Sequence, residues 1–100
     1  MNGWEDDCTE NDYRAAESYL TLHFAPETAR GLVGRLRYAP VLLFARDDVL
    51  RAARVEPILV DGPTRKVPLL LVRSNGRVLI ADGFDRLCDG VDGPVPAKIV

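Results

Sequence analysis

VPLLLVRSNGRVLIADGFDRL, residues 67–87, holds two apolar runs on either side of Asn75-Gly76. An Asn-Gly pair between apolar runs is a strong short-range hairpin signal, because both residues tolerate the positive φ that a tight two-residue turn requires. Val67 to Val72 therefore reads as one strand, Ser74-Asn75-Gly76 as the connection and Arg77 to Ala81 as the return strand. The stretch then leaves the hairpin at Asp82-Gly83 and enters a short helix through Phe84, Asp85 and Arg86. Whether that corner holds a ligand or only starts a helix is the functional question the sequence poses.

Working outward, Asp92-Gly93-Pro94 reads as a turn, and Val95 to Val100 alternates in the manner of a half-buried or edge strand. On the other side, Ile58 to Val60 reads as a strand and Asp61-Gly62-Pro63 as a turn. The N-terminal half has a helical period instead. Thr9 offers an N-cap, Glu10 and Asp12 place negative charge in a first turn, and Tyr13, Ala16 and Leu20 recur on one face, which predicts a helix over residues 10–20. Leu20 to Phe24 alternates apolar and polar residues like a strand, and Pro26 then opens a second helix with Ala29, Leu32, Val33 and Leu36 on one face. Gly31 and Gly34 weaken that helix by about 1 kcal/mol each, unless they admit a neighbouring backbone.

Pro40 ends the second helix. Val41 to Ala45 fits either a short buried strand or an extended connector, since so few residues carry no decisive period. Asp47 and Asp48 are placed to cap a short third helix bearing Val49, Leu50 and Ala53, with Pro57 as its limit. The fold class expected is α+β: N-terminal helices followed by a small mixed sheet with one inserted helix. Residues 1–8 form a loose acidic N-terminus, and residues 9–100 form a single domain.

Composition narrows the function. The chain has 100 residues, 47% of them hydrophobic, and 13 basic against 15 acidic residues give a net charge of -2. A field of that sign does not gather nucleic-acid backbone, so nucleic acid is not an expected partner. No apolar run approaches the ~20 residues that cross a bilayer, and no membrane association is expected. The start, MNGWEDDCTEND, lacks the basic residues and apolar stretch of a secretory signal, so the chain reads as cytoplasmic. Cys8 and Cys88 stand far apart and read as reduced thiols, Cys88 as a buried one. His23 is the single histidine, and no catalytic triad, Cys-His pair or metal site can be assembled around it.

At the 82–86 corner, two chemistries compete. In the first, Asp82 caps the helix through the N–H of Asp85, and the Asp85 carboxylate suits the positive helix end. In the second, a strand, a close-packing glycine and a helix start make an anion site, with Arg86 as a forked donor. Asp85 opposes a bare phosphate there, whereas a metal-bridged phosphate or a cationic ligand suffers less. The arginines at 30, 35, 37, 46, 51 and 54, with Arg65 and Lys66, make either one basic surface or a set of solvated faces.

The order of several short stretches resembles a family. AESYL at 16–20, RLRYAP at 35–40, Arg46-Asp47, VPLLLVR at 67–73 and IADG at 80–83 through Arg86 and Cys88 are similar to small uncharacterised bacterial ParB-like proteins. The resemblance covers residues 15–100 and centres on a box that looks like the G-x-x-R motif of ParB N-terminal domains and sulfiredoxins. It implies a ParB/sulfiredoxin-like fold in which Gly83 and Arg86 bind phosphate, making Asp82, Gly83, Phe84, Asp85 and Arg86 the ligand-binding candidates. Phe84 stands where sulfiredoxins carry a reactive cysteine, so sulfinic-acid reduction is not implied. Asp85 stands where the relatives carry histidine, replacing a donor with an anion.

Two functions remain open from the sequence. One is a non-catalytic ParB-like binding or regulatory domain, with a diverged phosphate box, acting on a protein partner or by self-association. The other is a nucleotide- or phosphate-binding module, using a nucleotide with Mg²⁺ and ParB-like phosphohydrolase or nuclease-type chemistry. Whether the chain is an enzyme is left undecided, and no catalytic residue is assigned.

Overall fold

The computed structural model describes residues 4–58, 65–88 and 93–100. The described chain is α+β, with helices α1 (Glu10–Leu20), α2 (Pro26–Tyr38), α3 (Arg46–Ala53) and α4 (Phe84–Leu87) and strands β1 (Leu42–Phe44), β2 (Leu69–Ser74), β3 (Arg77–Asp82) and β4 (Val95–Ile99). The four strands form one mixed sheet in the order β1-β4-β2-β3. β2 and β3 are the antiparallel hairpin, β4 runs parallel to β2, and β1 is antiparallel to β4.

The hairpin forms where Asn75-Gly76 predicts it. Asn75 has φ 52° and Gly76 φ 79°, and Ser74 lies opposite Arg77 across the two-residue loop. Positive φ at both central residues matches the right-handed twist of the paired strands, and Gly76 adopts it without a Cβ penalty. The register slips between Leu70 and Leu71, so Asp82 pairs with Leu70 and Ala81 is the extra residue of a bulge.

β2 is buried on both faces, which explains a run of Leu69, Leu70, Leu71 and Val72 in place of alternation. Leu70 and Val72 join Leu79 and Ala81 beneath Tyr13, Ala16 and Leu20 of α1 and Ala29, Val33 and Leu36 of α2. Leu69 and Leu71 point the other way and pack with Val95, Ala97, Val49 of α3 and Leu87 of α4. Each fully buried Leu contributes about 1.5–3 kcal/mol of transfer free energy, so two cores share one central strand.

Polar groups tie the termini to this frame. Thr9 accepts from the Asp12 N–H at 3.3 Å, and the Asp12 carboxylate accepts from the Thr9 N–H at 2.7 Å, a reciprocal cap with Asp in the usual Glu position. Asp12 is buried and also takes both terminal nitrogens of Arg65. Lys98 is buried too, and its Nζ donates to the Tyr13 hydroxyl and to the Arg37 carbonyl at 2.9 Å each, with Asp7 at 3.0 Å. The Glu5 N–H donates to the Lys66 carbonyl at 2.6 Å, and the Cys8 thiol to the Pro68 carbonyl at 3.1 Å, so residues 5 and 8 lie against the domain.

Several local expectations are corrected. Leu20 to Phe24 is a turn, not a strand: the N–H groups of His23 and Phe24 both return to the Leu20 carbonyl, closing off the end of α1. Val41 to Ala45 does include a strand, but it is an exposed edge, with Leu42 47% and Leu43 54% accessible. Asp47 and Asp48 lie inside the first turn of α3, whose N-cap is Ala45 with no side-chain bond. Among the described residues nothing approaches within 4 Å of a Cβ built at Gly31 or Gly34, so no described backbone uses the space they leave. Ile58 lies outside any strand, and residues 59–63 of that expected strand and turn, like Asp92, fall outside the described residues.

Candidate functional site

The 82–86 corner is built from the end of β3 and the four residues of α4. Gly83 is the helix N-cap in left-handed conformation, φ 103°, and no side chain caps the helix. Asp82 therefore does not act as the expected cap. Its carboxylate instead takes Arg86 Nη1 at 3.4 Å. The glycine has two local reasons to be there: its φ, and the absence of room. A Cβ at position 83 meets Arg86 Nη1 at 2.5 Å, Leu69 Cγ at 3.0 Å and Leu69 Cα at 3.3 Å.

Arg86 is 3% exposed. Its Nε donates to the Arg65 carbonyl at 3.0 Å, while its own carbonyl accepts from Arg46 Nη1. The guanidinium thus lies under Gly83 and is used to join β3, α4 and the segment at Arg65. Burial holds the Asp82 carboxyl above its ordinary value of 3.8 against the opposing pull of Arg86, and the nearby Asp12 and Asp85 charges push it the same way. Asp85 is exposed and Phe84 half-buried. The five sequence candidates are adjacent in space, but they face different ways: Arg86 inward, Asp85 outward, Asp82 between them.

Other candidates resolve into local roles. Cys8 has its thiol pushed up to about 12, first by burial and then by the Asp12, Asp82 and Asp7 charges, which leaves it protonated and unreactive at neutral pH. Cys88 is buried, as the sequence implies, and its sulfur accepts from the Ile58 N–H at 3.3 Å. His23 packs on Tyr19, ring centroids 5.2 Å apart. Three of the basic residues are engaged by acids: Arg37 pairs with Glu10, Arg51 with Asp48 and Arg65 with Asp12. Among the described residues, no group of three or more His, Cys, Asp or Glu side chains is arranged to hold a metal ion. No described helix is long and apolar enough to cross a membrane.

What the sequence reading missed lies beside the corner. A groove of about 410 Å³ runs along the outer edge of β3, from Arg77 at one end to Asp82, Gly83 and Phe84 at the other. Tyr19 of α1 forms one wall, and Ala53 and Val55, at and beyond the end of α3, form the other. Its sequence signal is the apolar run Val78-Leu79-Ile80-Ala81 after the Asn75-Gly76 turn, which gives a strand but not its place at the sheet edge. Compared with protein-family models, curated proteins and solved structures, the chain matches none.

Proposed function

We propose that this chain is a non-catalytic binding or regulatory domain that acts by contact with another protein. In this reading it is a diverged relative of the ParB/sulfiredoxin-like domains, its phosphate box converted into an internal brace. The observation that carries the proposal is the placement of Arg86, buried and bonded to Asp82 and to the Arg65 carbonyl. A phosphate recruiting this guanidinium has to displace both partners and pull a buried cation from its compensation, at a cost of several kcal/mol. Asp85 adds a carboxylate at the exposed side of the same corner. Protein contact is favoured instead by exposed large hydrophobic side chains, Tyr38 at the end of α2, 90% accessible, and Leu42 and Leu43 on the opposite sheet edge, 47% and 54% accessible.

Isothermal calorimetry with ATP, ADP and CTP in Mg²⁺ is the test. No binding heat is expected for any of the three, nor for Asp85→His, because the arginine stays engaged in both. Saturable heat with the unmodified chain overturns the proposal.

A further inference from the structure

We propose that the groove along β3 binds an extended peptide segment of a partner protein as an added antiparallel strand, apolar at alternate positions, with a basic residue near Asp82 and an acidic one near Arg77. This rests on the protein-binding reading above and places a site at the other edge of the sheet from Leu42 and Leu43.

The backbone supplies the first reason. Among the described residues β3 ends the sheet, with β2 on one side and no strand on the other. The hairpin register pairs Ser74 with Arg77 across the turn and Val72 with Leu79, which turns the N–H and C=O of Arg77 and Leu79 toward β2. Those of Val78 and Ile80 consequently point out of the sheet, and no described hydrogen bond reaches them from outside. These are the groups that an added strand uses.

The side chains supply the second. Val78, Ile80 and Phe84 are half-buried along the groove, and Tyr19, Ala53 and Val55 rise on its two sides. Edge strands elsewhere are blunted by inward charges or proline, whereas the stretch from Val78 to Ala81 carries neither. The bulge at Ala81 bends the strand where the groove meets the corner, setting Asp82 at its mouth.

Charge sets which end of the groove takes which residue, and antiparallel pairing, the more stable per residue, sets the direction. Arg77 is exposed at one end with no described ion-pair partner. Asp82 at the other is half-buried, has Arg86 at the long distance of 3.4 Å, and lies close to the further negative charge of Asp12 and Asp85. An antiparallel strand with its basic residue toward its N-terminus and its acidic residue toward its C-terminus satisfies both ends.

A phage-displayed library of random heptapeptides, panned against the immobilised full chain, tests this. Selected peptides are expected to alternate apolar and polar residues with that charge order, and to slow amide exchange at Val78 and Ile80. N-methylation of one strand-pairing peptide nitrogen should cost about tenfold in affinity, the worth of a hydrogen bond at the upper end of its range. Arg77→Glu, on an exposed side chain, should reverse the preferred charge at the peptide's C-terminal end without unfolding the domain. Failure to enrich any sequence, or selected ligands indifferent to N-methylation, overturns the inference. Peptides that protect Leu42 and Leu43 instead overturn the groove but leave protein binding intact, whereas nucleotide heat overturns the parent reading.

Discussion

Gly83→Ala perturbs the corner where three constraints coincide. Alanine at φ 103° sits in left-handed backbone and costs about 1–2 kcal/mol relative to glycine. Its Cβ arrives 2.5 Å from Arg86 Nη1 and 3.3 Å from the Leu69 Cα. The Leu69 backbone belongs to the central strand, so the arginine is the partner that moves. Moving it weakens the pair with Asp82 while Nε still holds the Arg65 carbonyl, a partial loss of the about 3–5 kcal/mol that follows breaking a buried ion pair. Together these give a destabilisation of about 2–4 kcal/mol, which lowers Tm by about 10–25 °C in a domain of this size. Urea denaturation of Gly83→Ala against the parent chain measures it, with Gly31→Ala as the reference. At position 31 a Cβ meets nothing within 4 Å, and helix propensity alone predicts a gain of about 0.5–1 kcal/mol. A loss below about 1 kcal/mol at position 83 refutes the claim that Arg86 is locked beneath the glycine, and reopens the box to an outside anion.

Acid sensitivity follows from Asp12. Burial pushes its carboxyl up, but the bonds from Arg65 and Thr9 prevail and hold it below its ordinary 3.8. A depressed carboxylate stabilises the fold above the unfolded value and loses that contribution as pH falls through the folded one. Asp12→Asn should therefore be less stable than the parent by about 1–3 kcal/mol near neutral pH, with the gap narrowing below pH 3.8, as read from Tm against pH. A gap that widens toward acid contradicts the assignment. For the thiols, Ellman's reagent at pH 8 should react slowly with both cysteines of the folded chain and rapidly once urea unfolds it; fast labelling of Cys8 in the native state contradicts its raised pKa. Leu43→Lys, on a side chain 54% exposed, should shift stability by no more than about 0.5 kcal/mol in urea denaturation, and a larger loss contradicts the exposed-edge placement of β1.

The local signals that were legible in the sequence are those with short range. Pro26 marks the first residue of α2, Thr9 the cap of α1, and Asn75-Gly76 the hairpin, because each constraint acts within a turn of chain. The sheet order was not legible: Val95 to Val100 reads as a half-buried or edge strand, whereas β4 is buried inside the sheet between β1 and β2 and parallel to β2, a relation made by distant residues. Val41-Leu42-Leu43 illustrates the same limit, since an apolar run carries no record of whether anything covers it. At the corner, the residue types were legible and their directions were not. Arg86 turns inward because Arg65 and Asp82 meet it there, contacts set by the tertiary fold.

The position of β4 has a consequence for how the chain reaches its fold. Among the described residues β1 joins the sheet only through β4, and β4 is the last strand. Until residues 95–99 slot between Leu42–Phe44 and Leu69–Leu71, β1 has no backbone partner and the hairpin stands apart from it. Before those residues dock, the chain can form its helices and hairpin, yet Leu69, Leu71 and the whole of β1 stay open to other chains. Closure is then a late, long-range event, slow in the manner of sheets assembled from distant segments, and the interval before it is when this sequence is most exposed to mispairing.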